Sequence, residues 1–197
     1  MMKSWTGASQ PAGIDAGGSK SMVEMTVESV RINLATNQRV VILKDAQGER
    51  YLFIWIANPE AYSIAMELQG TSSPRPLTHD LLKTVITELG GKMVSIIIAE
   101  LIDDIFHARL VLDADGRHVE IDSRASDAIA LAVRTKVPIY VTENVLDQAG
   151  VTLQSMDERE ESATSSLRDK DSQQDNLDVF REFINSLDAL DEFGKQD

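Results

Sequence analysis

Apolar and polar positions change their rhythm several times along the chain, and each rhythm predicts an element. Residues 25–34 alternate, with Met25, Val27, Ser29, Arg31 and Asn33 on one face and Thr26, Glu28, Val30, Ile32 and Leu34 on the other, the period of a strand. Residues 40–43 and 51–56 are β-rich runs joined across Asp45-Ala46-Gln47-Gly48, a hairpin-type turn. Pro59 stands where a helix accepts proline, in its first turn. Ala61, Ile64, Ala65 and Leu68 follow at helical spacing, and Gly70 stops the run. After a loop with two prolines, Thr78 can cap a second helix, with Asp80 near its positive end. Leu81, Leu82, Val85, Ile86 and Leu89 form the stripe this helix is expected to bury, and Gly90-Gly91 end it.

The second half repeats the alternation. Ile96-Ile97-Ile98 suits a strand buried on both faces. Residues 105–112 and 117–122 predict a hairpin around Asp115-Gly116. Pairing Leu112 with Arg117 sets Leu110 opposite Val119 and Ala108 opposite Ile121, an apolar face. The other face then pairs Arg109 with Glu120 and His107 with Asp122. Residues 126–134 read as a helix that is apolar almost all round, with Ser126 as its N-cap. Residues 138–141 read as a short closing strand, and 143–149 as a short helix ended by Gly150. The order βββ-α-α-βββ-α-β-α clusters strands in threes. It predicts an α+β domain with a mixed, largely antiparallel sheet rather than a doubly wound one.

The ends of the chain differ in texture. Residues 1–21 are small and Gly-rich without periodicity and read as a disordered leader, so that Met22 could be the true start. Residues 152–176 read as an acidic linker. Residues 177–193 read as a short helix with Leu177, Phe180, Phe183, Ile184 and Leu187 on one stripe. A helix of that length needs something to dock on. The domain proper is therefore expected over 22–151.

Composition narrows the function classes. A chain of 197 residues with 43% hydrophobic content can bury a core. The absence of cysteine excludes a disulfide framework, a thiolate metal site and a cysteine nucleophile. No apolar run is long enough for a membrane span, and the leader lacks the apolar stretch of a secretory signal. The expectation is a soluble, cytoplasmic protein. The net charge of −13 is spread as +1 over 1–21, −6 over 22–150 and −8 over 151–197, which argues against a protein that grips nucleic acid non-specifically.

Candidate chemistry gathers at two polar corners. In Pro74-Arg75-Pro76-Leu77-Thr78-His79-Asp80, a histidine at a helix N-terminus with an arginine nearby suits an anion or a proton shuttle. His79 and Asp80 completing a cap is the alternative. Asp122-Ser123-Arg124-Ala125-Ser126-Asp127 is the second corner, where Arg124 could bridge Asp122 and Asp127, for structure or for function. His107 with Asp122 is a further acid–base couple, or an ordinary cross-strand pair. Asp103-Asp104 with Glu100 could hold Mg²⁺, or simply form a turn.

These blocks together carry a resemblance. Ile54-Trp55-Ile56 with Pro59-Glu60-Ala61, Arg75-Pro76-Leu77-Thr78-His79-Asp80-Leu81-Leu82, Phe106 with Ala108-Arg109-Leu110, the run from Ile121 to Arg134, and Pro138-Ile139-Tyr140-Val141 resemble, in order, blocks of the bifunctional nuclease domain family. The resemblance implies a small, oligomeric α+β domain that hydrolyses phosphodiester bonds in DNA and RNA. By position, the family's polar signature falls on Glu60, Arg75, His79, Asp80, Asp122, Arg124, Ser126 and Asp127. Ala125 stands where the family usually has proline, and His107 where an aromatic residue is expected. The resulting expectation has His79, Asp122 and Asp127 as catalytic residues and Arg75 and Arg124 as phosphate-holding ones. A divalent cation such as Mg²⁺ is the candidate cofactor, and nucleic acid and a second copy of the chain are the expected partners. The rival is a non-catalytic oligomeric domain recognising a small anionic ligand.

Overall fold

The computed structural model describes residues 21–33 and 37–152. The leader before residue 21, the linker beyond 152 and the helix expected over 177–193 lie outside the described residues. Within them the elements are β1 (Met22–Ile32), β2 (Arg39–Asp45), β3 (Arg50–Ile56), α1 (Asn58–Leu68), α2 (Thr78–Glu88), β4 (Gly91–Ile102), β5 (Ile105–Ala114), β6 (Arg117–Arg124), α3 (Ala125–Thr135), β7 (Ile139–Thr142), α4 (Glu143–Ala149) and β8 (Gly150–Thr152). This is the expected α+β order with one strand added at its end.

All eight strands form one sheet in the order β6-β5-β4-β7-β1-β2-β3-β8. Only β4 and β7 run parallel; every other pair is antiparallel. The strand expected to close the sheet therefore sits in its middle. Its four residues can do this because Ile139 and Val141 face the core beside Ile96 and Ile98 on one side and Met25 and Val23 on the other. The core lies between this face and α3, whose Ala128, Ile129, Ala130 and Leu131 are wholly buried.

Three local expectations are corrected. A bulge between Val27 and Ser29 leaves Glu28 out of the ladder, so Met25, Val27 and Val30 all pack against the core instead of falling on opposite faces. The β5–β6 register is two residues from the expected one: Leu112 faces Val119, and Ala114 faces Arg117. Asp115 and Gly116 both have positive φ (55° and 75°), so they form the whole loop of a two-residue turn whose twist matches the strands. Apolar residues still share a face, but His107 now opposes Arg124, and Asp122 opposes Arg109. The His107–Asp122 couple does not form. Asp103 and Asp104, at φ 49° and 61°, make the same kind of turn between β4 and β5.

The third correction concerns α2. Its leucines do not form a buried stripe: Leu81, Leu82, Val85 and Leu89 are exposed, and Ile86 alone packs against the core. The buried residue of this helix is His79. A polar first turn, together with Lys83 Nζ donating to the Arg134 carbonyl at 2.7 Å, anchors α2 at the rim of the core.

Candidate functional site

The first turns of three helices meet beneath one corner of the sheet. Glu60 comes from the first turn of α1, His79 and Asp80 from that of α2, and Asp127 from that of α3, with Arg124 at the N-cap of α3. Helix α3 thus begins one residue earlier than expected. Ser126 is buried at its second position and is not the cap. Thr78 likewise does not cap α2. Leu77 holds that position, and its N–H donates to Asp80 Oδ2 at 2.8 Å.

Asp127 joins the two polar corners. Arg124 donates to it twice, Nε to Oδ2 at 2.7 Å and Nη2 to Oδ1 at 2.9 Å. The same Nη2 reaches Glu60 Oε1 at 2.6 Å. His79 Nε2 lies 3.1 Å from Asp127 Oδ1, and His79 Nδ1 lies 2.9 Å from Ser63 Oγ. A carboxylate accepts and does not donate, so the neutral ring carries its proton on Nε2 and accepts the Ser63 hydroxyl at Nδ1. Hydroxyl, imidazole and carboxylate stand in a line, but Ser63 is buried inside α1. It orients the ring and does not meet solvent.

Charge pairing fixes the protonation of the acids. Burial raises the Asp127 carboxyl, yet the hydrogen bonds from Arg124 and His79 outweigh it and hold its pKa below the usual value of 3.8. Asp127 first, and then Glu60, push the Arg124 guanidinium further up. Arg124 remains the exposed member, 65% accessible at its side chain against 12% for Glu60, and its Nη1 makes no hydrogen bond among the described residues. Glu60 Oε2 is the one buried side-chain oxygen or nitrogen there that lacks a partner.

Behind this line sits a residue that the sequence pattern does not single out. Arg134, 4% exposed, donates from Nε to Asp80 Oδ1 at 2.7 Å, from Nη1 to the Ala130 carbonyl and from Nη2 to the Ser63 carbonyl, both at 2.9 Å. It ties all three helices together. Burial raises the Asp80 carboxyl, but Arg134 and the Leu77 N–H hold its pKa below the ordinary value. A single cation near the end of an otherwise apolar helix was the available signal, since a buried charge must find a partner. Ser63 carried no such signal.

Two expected site residues are not brought to the corner. Asp122 is exposed on β6 and makes no side-chain hydrogen bond among the described residues, and Arg124 bridges Asp127 to Glu60 and not to Asp122. Arg75 is exposed on the loop before α2 and has no hydrogen-bond or ion-pair partner among the described residues. Among those residues, no three His, Asp or Glu side chains stand close enough to share a metal ion. Glu60 and Asp127 are the carboxylates that could hold a cation here, and the Arg124 guanidinium already lies between them. A cleft of about 410 Å³ opens beside the corner, between the end of α1, the loop 71–77 and α2, with Asp80 and Arg134 in its wall. No helix among the described residues is long and apolar enough to cross a membrane.

Comparison with known proteins adds a family likeness. The model of the bifunctional nuclease domain matches residues 41–154. An uncharacterized protein of Mycobacterium tuberculosis is 41% identical over 170 residues, covering 86% of this chain and 98% of that protein. Bifunctional nuclease 1 of Oryza sativa subsp. indica is 26% identical over 126 residues, 62% of this chain and 38% of the plant protein. Bifunctional nuclease 2 of Oryza sativa subsp. japonica is 29% identical over 118 residues, 58% of this chain and 36% of its own length.

Proposed function

Because the chain belongs to the bifunctional nuclease domain family, we propose that its three-helix corner hydrolyses phosphodiester bonds in DNA or RNA. The observation that carries this reading is the sharing of Asp127 by His79 and Arg124, which makes the two polar corners one site. Arg124 presents its uncommitted Nη1 to solvent, where it can take a phosphate oxygen and stabilise developing charge. Asp127, held by the Nε2–H of His79, accepts the proton of the attacking water and returns it to the departing sugar oxygen, while His79, whose Nδ1 faces the buried Ser63 hydroxyl, positions the carboxylate. The pair ends as it began. Glu60 holds Arg124 in place from the far side.

A divalent cation such as Mg²⁺ does not fit between Glu60 and Asp127, because the Arg124 guanidinium already pairs with both carboxylates there and no third carboxylate or histidine completes a metal site among the described residues.

The second reading, a non-catalytic module for a small anionic ligand, is favoured by one fact. The cleft lies on the Asp80–Arg134 side of the corner, away from Arg124. One set of measurements separates the two. Purified protein is incubated with single- and double-stranded DNA and RNA, with Mg²⁺ or with chelator, beside His79→Ala and Arg124→Ala. The nuclease reading expects cleavage that both variants lower at least tenfold. Cleavage that both variants retain in full would remove the corner from the chemistry. Saturable nucleotide binding without cleavage would support the binding module.

A further inference from the structure

Strands β2 and β3 are buried on both faces. Val41, Leu43, Leu52 and Ile54 pack into the core described above. Their neighbours Val40, Ile42, Tyr51 and Phe53 point to the opposite side of the sheet and are 0%, 0%, 4% and 6% exposed. The register sets Val40 beside Trp55, Ile42 beside Phe53, Lys44 beside Tyr51 and Tyr51 beside Val151, so these residues form one continuous apolar and aromatic face. The buried side chains of α1, α3 and α4, and Ile86 of α2, belong to the core on the other side. The four helices of the described residues cover one face of the sheet only, and a sheet apolar on both faces needs a layer on each.

We propose that the second layer is the chain's own segment 177–193, docked as an amphipathic helix on the outer face of β1–β2–β3. Leu177, Phe180, Ile184 and Leu187 recur at helical spacing, with Phe183 beside them. As a helix the segment is about 25 Å long, enough to cross three strands spaced about 4.8 Å apart. The chain leaves the domain in the right place: β8 pairs with β3 and puts Val151 at the edge of this face. A flexible chain of 24 residues, the length of 153–176, spans about 27 Å, against about 14 Å for the three strand spacings from β8 to β1. Charges also match. The segment carries Asp178, Glu182, Asp188, Asp191 and Glu192 against Arg181 alone. Arg31 and Lys44 border the outer face, facing Val40 and Thr26 across the ladder. Tethering keeps the local concentration of the segment high, so the contact forms within one chain.

The test uses the full chain and the one tryptophan on this face. In a Trp5→Phe background, the emission of Trp55 reports on the cover directly. Phe180→Asp with Phe183→Asp is expected to shift that emission to longer wavelength and open it to iodide, with far-UV circular dichroism retained. Unchanged emission and quenching would overturn the proposal. So would the same shift on removal of residues 1–20, which would make the leader the cover. The chain has no cysteine, so a second measurement is independent of folding in that variant. Ser29→Cys, beside Ile42 on this face, with Ser186→Cys should cross-link within single chains at sub-micromolar concentration. Cross-links only between chains, or none, would overturn it.

Discussion

Replacing Arg134 by methionine tests how the corner is held together. The guanidinium donates to Asp80 and to two main-chain carbonyls, and it is 4% exposed. The Ala130 and Ser63 carbonyls lie inside helices and keep their backbone partners, so their loss is small. The methionine fills much of the space left by the arginine stem. What remains is a carboxylate stripped of its cation, with side chain 36% accessible and still bonded to the Leu77 N–H. Breaking a buried pair costs about 3–5 kcal/mol, and partial exposure of Asp80 places this case near about 3 kcal/mol. For a domain of this size, that lowers the Tm by about 10 °C. Asp80→Asn, which leaves the guanidinium buried without its anion, should cost at least as much. The double variant should cost about 1–3 kcal/mol less than the two singles added together, because each single leaves a charge the double does not. Urea titrations of all four proteins by circular dichroism give the cycle, with an unchanged m-value as the check for a common unfolding transition. A loss below about 1 kcal/mol for Arg134→Met, or strict additivity, would show that Arg134 does not bind the three helices together.

Four further outcomes follow from the same contacts. Asp80 and Asp127 titrate below the ordinary carboxylate value, so the stability they add is complete above about pH 4 and is lost as pH falls through their folded values. Urea midpoints followed from neutral pH downward should fall less steeply in Asp127→Asn than in the native chain, and parallel curves would contradict this. Arg124→Ala removes the only partner that a nearly buried Glu60 has among the described residues and should cost about 2 kcal/mol, much of it recovered when Glu60→Gln is added. Gly116→Ala meets no atom but forces alanine to a φ of 75°, a loss of about 1 kcal/mol that a wider β5–β6 loop would not show. The exposed Leu81, Leu82, Val85 and Leu89 of α2 are the face a second copy would cover. Sedimentation at micromolar concentration is expected to give at least twice the 21.7 kDa chain mass, and a monomer would refute that.

What the sequence determined by itself are the features that depend on neighbouring residues. Eleven of the elements needed only periodicity and stop signals: Pro59 and Gly70 bound α1, and Asp115-Gly116 marks its hairpin. The polar corners were legible for the same reason, because His79-Asp80 and Arg124 to Asp127 are dense charged clusters beside apolar runs, where charge must be explained. Only the tertiary structure decided which partners those charges took. Arg124 reaches Glu60, 64 residues away, and not its near neighbour Asp122. That strand residue points away from the helix, whereas Asp127 lies one helical turn beyond Arg124. The two-residue register shift was hidden because a slip of two keeps every side chain on its face, so the apolar pattern cannot register it. The place of β7 was hidden because four residues carry no record of which strands flank them. For α2, periodicity located an apolar stripe but not what it faces: burial is decided by the neighbours a helix is given, and here Arg134 and Asp127 drew its polar first turn inward and left the leucines outside.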